Sequence, residues 1–143
     1  MEENRMNNAE IEELISIINF YHGEPSEWRE VLKTKYGDRL LRVSSPGIED
    51  MGILDSYRQV QLKENRSGTF WLVIAKGNPE EGCIFPTPWL EFNSTTTTEQ
   101  LKPFFNLPTD KRGIIKKIEK LAQLKRMAGG QWGVAEKGEI IFL

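Results

Sequence analysis

The chain has 143 residues, a formal net charge of −2, and hydrophobic and charged fractions of 38% and 28%. A chain of this length suits one domain, able to bury roughly 68–70% of its unfolded surface in a real core. The balance excludes an intrinsically disordered chain and any global attraction to DNA or an anionic membrane. No apolar run approaches the ~20 residues of a membrane span.

Residues 1–10 are polar and acidic, unlike a signal peptide, and the one cysteine, Cys83, allows no internal disulfide. A cytoplasmic location is therefore expected. Asn7 and Glu10 have the spacing of a capping box, and Ile11, Leu14, Ile15, Ile18 and Tyr21 recur at helical spacing. Ile17 and Phe20 widen that apolar face. With Gly23 and Pro25 as stop signals, the pattern predicts a helix over 8–22. Ser26 can cap a second helix over 27–36, with Glu27 and Glu30 at its positive end and Trp28, Val31 and Leu32 on its buried face. Gly37 ends it.

From Arg39 the pattern turns to strands. Leu40, Leu41 and Val43 read as a short strand, followed by a loop over 47–56. Tyr57–Lys63, Thr69–Ala75 and Cys83–Phe85, separated by turn-forming residues at 64–68 and 77–82, read as a three-stranded antiparallel meander. Thr96 with Glu99, or Thr97 with Gln100, can cap a short helix near 98–106. Ile114, Ile118, Leu121, Leu124 and Met127 follow a helical period, which favours helix over 110–126. Trp132–Val134 and Glu139–Phe142, on either side of Glu136-Lys137-Gly138, read as a C-terminal β-hairpin.

Charge is unevenly spread. Residues 1–30 carry eight Glu against Arg5 and Arg29, a net of −6. Residues 110–126 carry Lys111, Arg112, Lys116, Lys117, Lys120, Lys125 and Arg126 against Asp110 and Glu119, a net of +5. Two solvated ends that attract weakly explain this most simply. A basic face toward an acidic partner or a phosphate backbone is the sharper reading.

Few residues can carry chemistry. His22 and Cys83 form the one conceivable Cys–His pair, but they fall on distant elements, and each has a simpler role as helix-end donor and small buried hydrophobe. One His and one Cys do not build a structural zinc site. Glu80-Glu81 and Glu49-Asp50 read as solvated turns, and Gly129-Gly130 follows a helical pattern where a phosphate loop would open one. Thr95–Thr98 reads as a capped loop. No catalytic, cofactor-binding or metal-binding residue is assigned, and no cofactor is expected.

The aromatics Phe70, Trp71, Phe85, Trp89, Phe92 and Trp132 lie on or beside strands. Phe70 and Trp71 must point to opposite faces of their strand, so one is exposed unless each face is covered. Phe70-Trp71-Leu72-Val73, Phe85-Pro86, Phe104, and Trp132 ahead of Glu136-Lys137-Gly138-Glu139-Ile140 and Phe142 resemble a pattern in uncharacterised bacterial accessory domains with a small Src-homology-3-like β-barrel. The resemblance spans roughly 57–142, implies no catalytic residues, and would make part of 116–126 a strand. Helix and strand both stay open for that stretch.

These readings give an α+β fold over a single domain, 1–143. Two helices within 1–37 pack on a bent antiparallel sheet or small β-barrel within 38–143. The expected function is a non-catalytic protein-interaction or accessory module. It binds another protein, or a second copy of itself, through the helix 8–22 (Ile11, Leu14) and the proline-aromatic segment ending at Trp89. Nucleic-acid binding through the basic 110–126 segment ranks second, and a small enzyme with a carboxylate site third.

Overall fold

The computed structural model describes residues 8–44, 59–60, 62–66, 68–89, 91–92, 101–102, 104–106, 113–126 and 131–142. Two helices come first, α1 (Asn8–Phe20) and α2 (Pro25–Tyr36). Among the described residues, eleven short strands follow: β1 (Leu40–Ser44), β2 (Gln59–Val60), β3 (Lys63–Glu64), β4 (Phe70–Ala75), β5 (Asn78–Pro86), β6 (Glu91–Phe92), β7 (Phe105–Asn106), β8 (Gly113–Lys120), β9 (Ala122–Arg126), β10 (Trp132–Glu136) and β11 (Gly138–Phe142). The fold is α+β, as the sequence predicts.

Helix α1 buries Ile11, Leu14 and Ile18, one stripe at i, i+3 and i+7. Helix α2 starts earlier than its sequence suggests. Pro25 occupies the first turn and Ser26 lies inside the helix, and Glu24 at the N-cap makes no side-chain cap bond. A proline that reads as a stop for one helix thus opens the next, where its missing N–H costs nothing. Gly37, with φ of 55°, ends α2 in the left-handed region that favours glycine.

The larger sheet runs in the order β2-β10-β9-β5-β4-β1-β3, and the smaller in the order β6-β8-β11-β7. Among the described residues, only β7 and β11 pair in parallel. The expected meander over 57–86 is not formed. β4 and β5 do make a hairpin, turning at Lys76 and Gly77 (φ 79°), but the other neighbour of β4 is β1. Lys63 and Glu64 pair instead with Ser44 and Val43 on the far edge of β1. β2 pairs with Trp132 and Gly133 of β10 at the opposite end of the sheet. One short stretch, 59–64, therefore touches both edges of a strongly curled sheet that does not close into a barrel.

The helix favoured for 110–126 is also overturned, since 113–120 and 122–126 are strands. β8 and β9 pair with β11 and β10 respectively, so 113–126 and 131–142 form the arms of one long hairpin, bent at Leu121 and Lys137. The C-terminal hairpin expected around Glu136-Lys137-Gly138 is a bend within one arm, where the chain passes from one sheet to the other. Two register shifts along β8 explain the misleading period. β11 residues Glu139, Ile140, Ile141 and Phe142 face Lys120, Ile118, Lys117 and Ile115, so Glu119 and Lys116 are extra residues. Such bulges space the buried Ile115, Ile118 and Leu121 three apart, as a helix would. Of the helix expected near 98–106, Phe105–Asn106 is strand. The loop 47–56 and the threonine run 95–98 lie outside the described residues.

Beyond its pairing with β6, the edge of β8 is covered by Asn19 of α1 and by His22 just after it. Asn19 Nδ2 donates to the Ile118 carbonyl and Asn19 Oδ1 accepts from the Ile118 amide, both at 2.9 Å. His22 Nε2 donates to the Ile115 carbonyl at 2.5 Å. The Asn19 amide thus takes the place of a neighbouring strand's peptide, and the edge is closed to other chains.

Phe70 and Trp71 are both buried, 1% and 6% exposed, because each sheet face is covered. Trp71, Val73, Cys83 and Phe85 share the face under α2, while Phe70, Leu72 and Ile74 point into the curl of the sheet. Burial pushes the Cys83 thiol up to about 12, with a smaller push from Glu10. The folded chain keeps that proton where the unfolded chain loses it, so stability falls as pH rises from about 9 to about 12. Urea unfolding across this window is expected to show Cys83→Ala losing stability more shallowly than the parent, by about 1.4 kcal/mol per pH unit. Parallel curves for the two chains would show that the thiol ionises equally well in both states.

Candidate functional site

Helix α2 presents Trp28, Leu32 and Tyr36 to the sheet, at i, i+4 and i+8. Trp28 is fully buried and meets three rings edge to face: Trp71 at 5.2 Å, Phe85 at 6.0 Å and Trp89 at 5.0 Å between centroids. Trp71 Nε1 donates to Thr87 Oγ1 at 2.9 Å, and the buried Thr87 in turn donates its amide to the Thr69 carbonyl. These bonds fix the indole and the strand end that leads to Trp89. Among the described residues, the buried Trp28 Nε1 and Tyr36 hydroxyl have no hydrogen-bond partner.

Two arginines lie on this aromatic cluster. The Arg29 Cζ sits 5.4 Å from the centre of the Trp89 ring, and the Arg42 Cζ sits 5.1 Å from that of Trp71. Arg42 stands directly across from Trp71 in the β1–β4 ladder, and its Nε donates to the Gly68 carbonyl at 2.9 Å. Burial, and then the charge of Arg29, lower the Arg42 pKa below its ordinary value. A guanidinium nevertheless stays cationic at neutral pH.

Four other described cations have carboxylate partners. Arg39 pairs with Glu10 at 3.0 Å, Lys35 with Glu13 at 3.1 Å, Lys117 with Glu119 at 2.9 Å and Lys120 with Glu136 at 2.5 Å. Among the described residues, neither Arg29 nor Arg42 has one. On α2 the positions three and four residues from Arg29 are Pro25, Ser26, Leu32 and Lys33, none of them acidic.

The structure redistributes the residues singled out in the sequence. Ile11 and Leu14 are 9% and 0% exposed; they pack into the chain's own core and offer no apolar face to a partner. Trp89 is half-buried in the tryptophan cluster. Lys111 and Arg112 lie outside the described residues. Lys116, Lys117, Lys120, Lys125 and Arg126 fall on two bulged strands and do not converge on one face. Lys125 stands across from Glu81 of β5, while Arg126 points the other way, over the Trp132 ring at 5.1 Å. His22 is committed to the Ile115 carbonyl and Cys83 is buried on β5. Among the described residues no group of three or more His, Cys, Asp or Glu side chains could hold a metal ion, and no helix is long and apolar enough to cross a membrane.

Arg29 and Arg42 escaped the sequence reading. The indole beside Arg29 was a usable signal, as was the lack of acids at helical spacing. Arg42 reaches Trp71 only through strand register, which nothing in the sequence marks. Compared with protein families, characterised proteins and solved structures, the chain matches none.

Proposed function

We propose that the chain is a non-catalytic protein-interaction module whose Arg29–Arg42–Trp89 surface docks an acidic segment of a partner protein. One observation carries the reading: two guanidiniums sit over tryptophan rings, close enough for one to lower the pKa of the other, with no carboxylate partner among the described residues. A guanidinium whose plane rests on an indole keeps its N–H edge free to bond a carboxylate with two parallel hydrogen bonds. An acidic partner would relieve the repulsion between the two cations, and Trp and Arg are the residues that most often dominate binding surfaces.

The nucleic-acid reading is less favoured because several lysines of the basic segment stand against carboxylates. Lys117 and Lys120 carry ion pairs and Lys125 faces Glu81. A catalytic Cys83–His22 pair is less favoured, since burial pushes the Cys83 thiol up and His22 bonds the Ile115 carbonyl.

Fluorescence anisotropy of a labelled hexaglutamate peptide, read at low and moderate salt, tests the proposal. Arg29→Glu with Arg42→Gln is expected to weaken binding by about 1.5–3 kcal/mol, roughly tenfold or more in Kd. Lys116→Glu with Lys125→Glu is expected to leave it nearly unchanged. Equal affinity for the parent and the arginine variant would sink the reading. A labelled oligothymidylate bound through Lys116 and Lys125 would favour nucleic acid.

A further inference from the structure

Strand alternation places Ala122, Leu124 and Arg126 of β9 on one face. Ala122 and Leu124 are 0% and 2% exposed and belong to the core, so Arg126 is a cation at the end of a core-facing row. It stands across from Trp132 in the β9–β10 ladder, and its Cζ sits 5.1 Å from the centre of that ring. Beneath the pair is a cleft of about 380 Å³ inside the curl of the sheet. Its apolar wall is formed by Leu41, Val43, Leu72, Ile74 and Trp132, and its rim carries Arg126, Lys63 and Glu64. Among the described residues, neither Arg126 nor Lys63 has a carboxylate partner.

We infer that this cleft binds a small apolar monocarboxylate, with its hydrocarbon body against Leu72 and Ile74 and its carboxylate on Arg126. The volume falls within the range of small-ligand sites, which are mostly apolar with a few polar groups that set orientation. The Trp132 ring favours a cation beside it, and the guanidinium fork can make a two-point bond to a carboxylate. Lys63 adds a second cation. Glu64 leaves the rim with one net positive charge, which suits a monoanion better than a phosphate dianion. The site is separate from the Arg29–Arg42 surface and does not rest on it.

Calorimetric titration of the full chain with 3-phenylpropanoate and with octanoate tests the inference, with 3-phenylpropan-1-ol as the neutral comparison. Saturable binding of the acids is expected, accompanied by shifts of the Leu72 and Ile74 methyl resonances. Arg126→Gln is expected to weaken the acids by about tenfold or more while leaving the alcohol unchanged. Ile74→Trp fills the cleft and is expected to weaken acid and alcohol alike. Arg29→Glu is expected to leave all three unchanged, so this site and the docking surface fail independently. Absence of saturable binding by either acid, or equal acid affinity in Arg126→Gln, would overturn the inference.

Discussion

Trp28→Ala is expected to destabilise the chain by about 3–5 kcal/mol, the usual cost of removing a large buried aromatic. Trp28 is fully buried, and its ring is the common edge-to-face neighbour of Trp71, Phe85 and Trp89. Each such contact adds about 0.5–1.5 kcal/mol beyond area burial, which places the loss at the upper end of that range. Relaxation cannot fill the gap cheaply: Trp71 is tied through Thr87, and Phe85 is held across from Trp71 in the β4–β5 ladder. Against a typical net stability of about 5–15 kcal/mol, the change is severe. Urea unfolding followed by far-UV circular dichroism reads it, and a loss below about 1 kcal/mol would show that the tryptophan cluster is not the anchor of α2. Trp28→Phe, which keeps a ring in place, is expected to lose less. In the folded fraction of Trp28→Ala, the Trp89 ring loses its backing and the hexaglutamate peptide is expected to bind more weakly. The docking surface is built from the core outward.

The same cluster shows where the sequence is legible and where it stops. α1 and β4 are readable because one element of packing decides each. A stripe at i, i+3 and i+7 can only be a helix face, and Phe-Trp-Leu-Val-Ile-Ala is a strand buried on both sides. α2 was readable in extent, although its start was not: Pro25 signals a stop and an N1 residue equally well. Pairing was not readable. Three apolar runs separated by turns look like a meander, yet β1 inserts beside β4 and sends 59–64 to the outer edges. Register is a tertiary property, fixed by which faces must be buried. The 113–126 stretch fails for a different reason. Its bulges give the apolar residues a spacing of three, and only the β-branched Ile114-Ile115 pair argued for strand. The site inherits both limits. Trp89 was visible as part of a proline-aromatic segment, whereas Arg42 joined it through register alone.

The bulges and the long bent hairpin also decide where a methyl group is least tolerable. Gly138→Ala is expected to cost about 3 kcal/mol or more, at or beyond the upper end of ordinary overpacking. Gly138 opens β11 where the hairpin crosses from one sheet to the other. Its amide donates to the Phe104 carbonyl at 2.9 Å and it stands beside Phe105 of β7. A Cβ there would overlap the Lys120 carbonyl oxygen, and would lie 2.6 Å from a ring carbon of Phe105 and 2.7 Å from the Ala122 amide nitrogen. Two of those three atoms are backbone, at the corner between β8 and β9, so a rotamer change offers no relief. Relief requires the corner to open, which separates the two sheets and loosens the buried Phe105 and Leu121. Gly23 is the control, because a Cβ there meets nothing within 4 Å and Gly23→Ala is expected to change stability by no more than about 0.5 kcal/mol. Urea midpoints of the two variants, compared at equal m-value, separate steric overlap from a general effect of removing glycine. If Gly138→Ala matches Gly23→Ala, the β8–β9 corner is not closed against β11. The bent hairpin that places Arg126 and Trp132 over the cleft would then need a different cause.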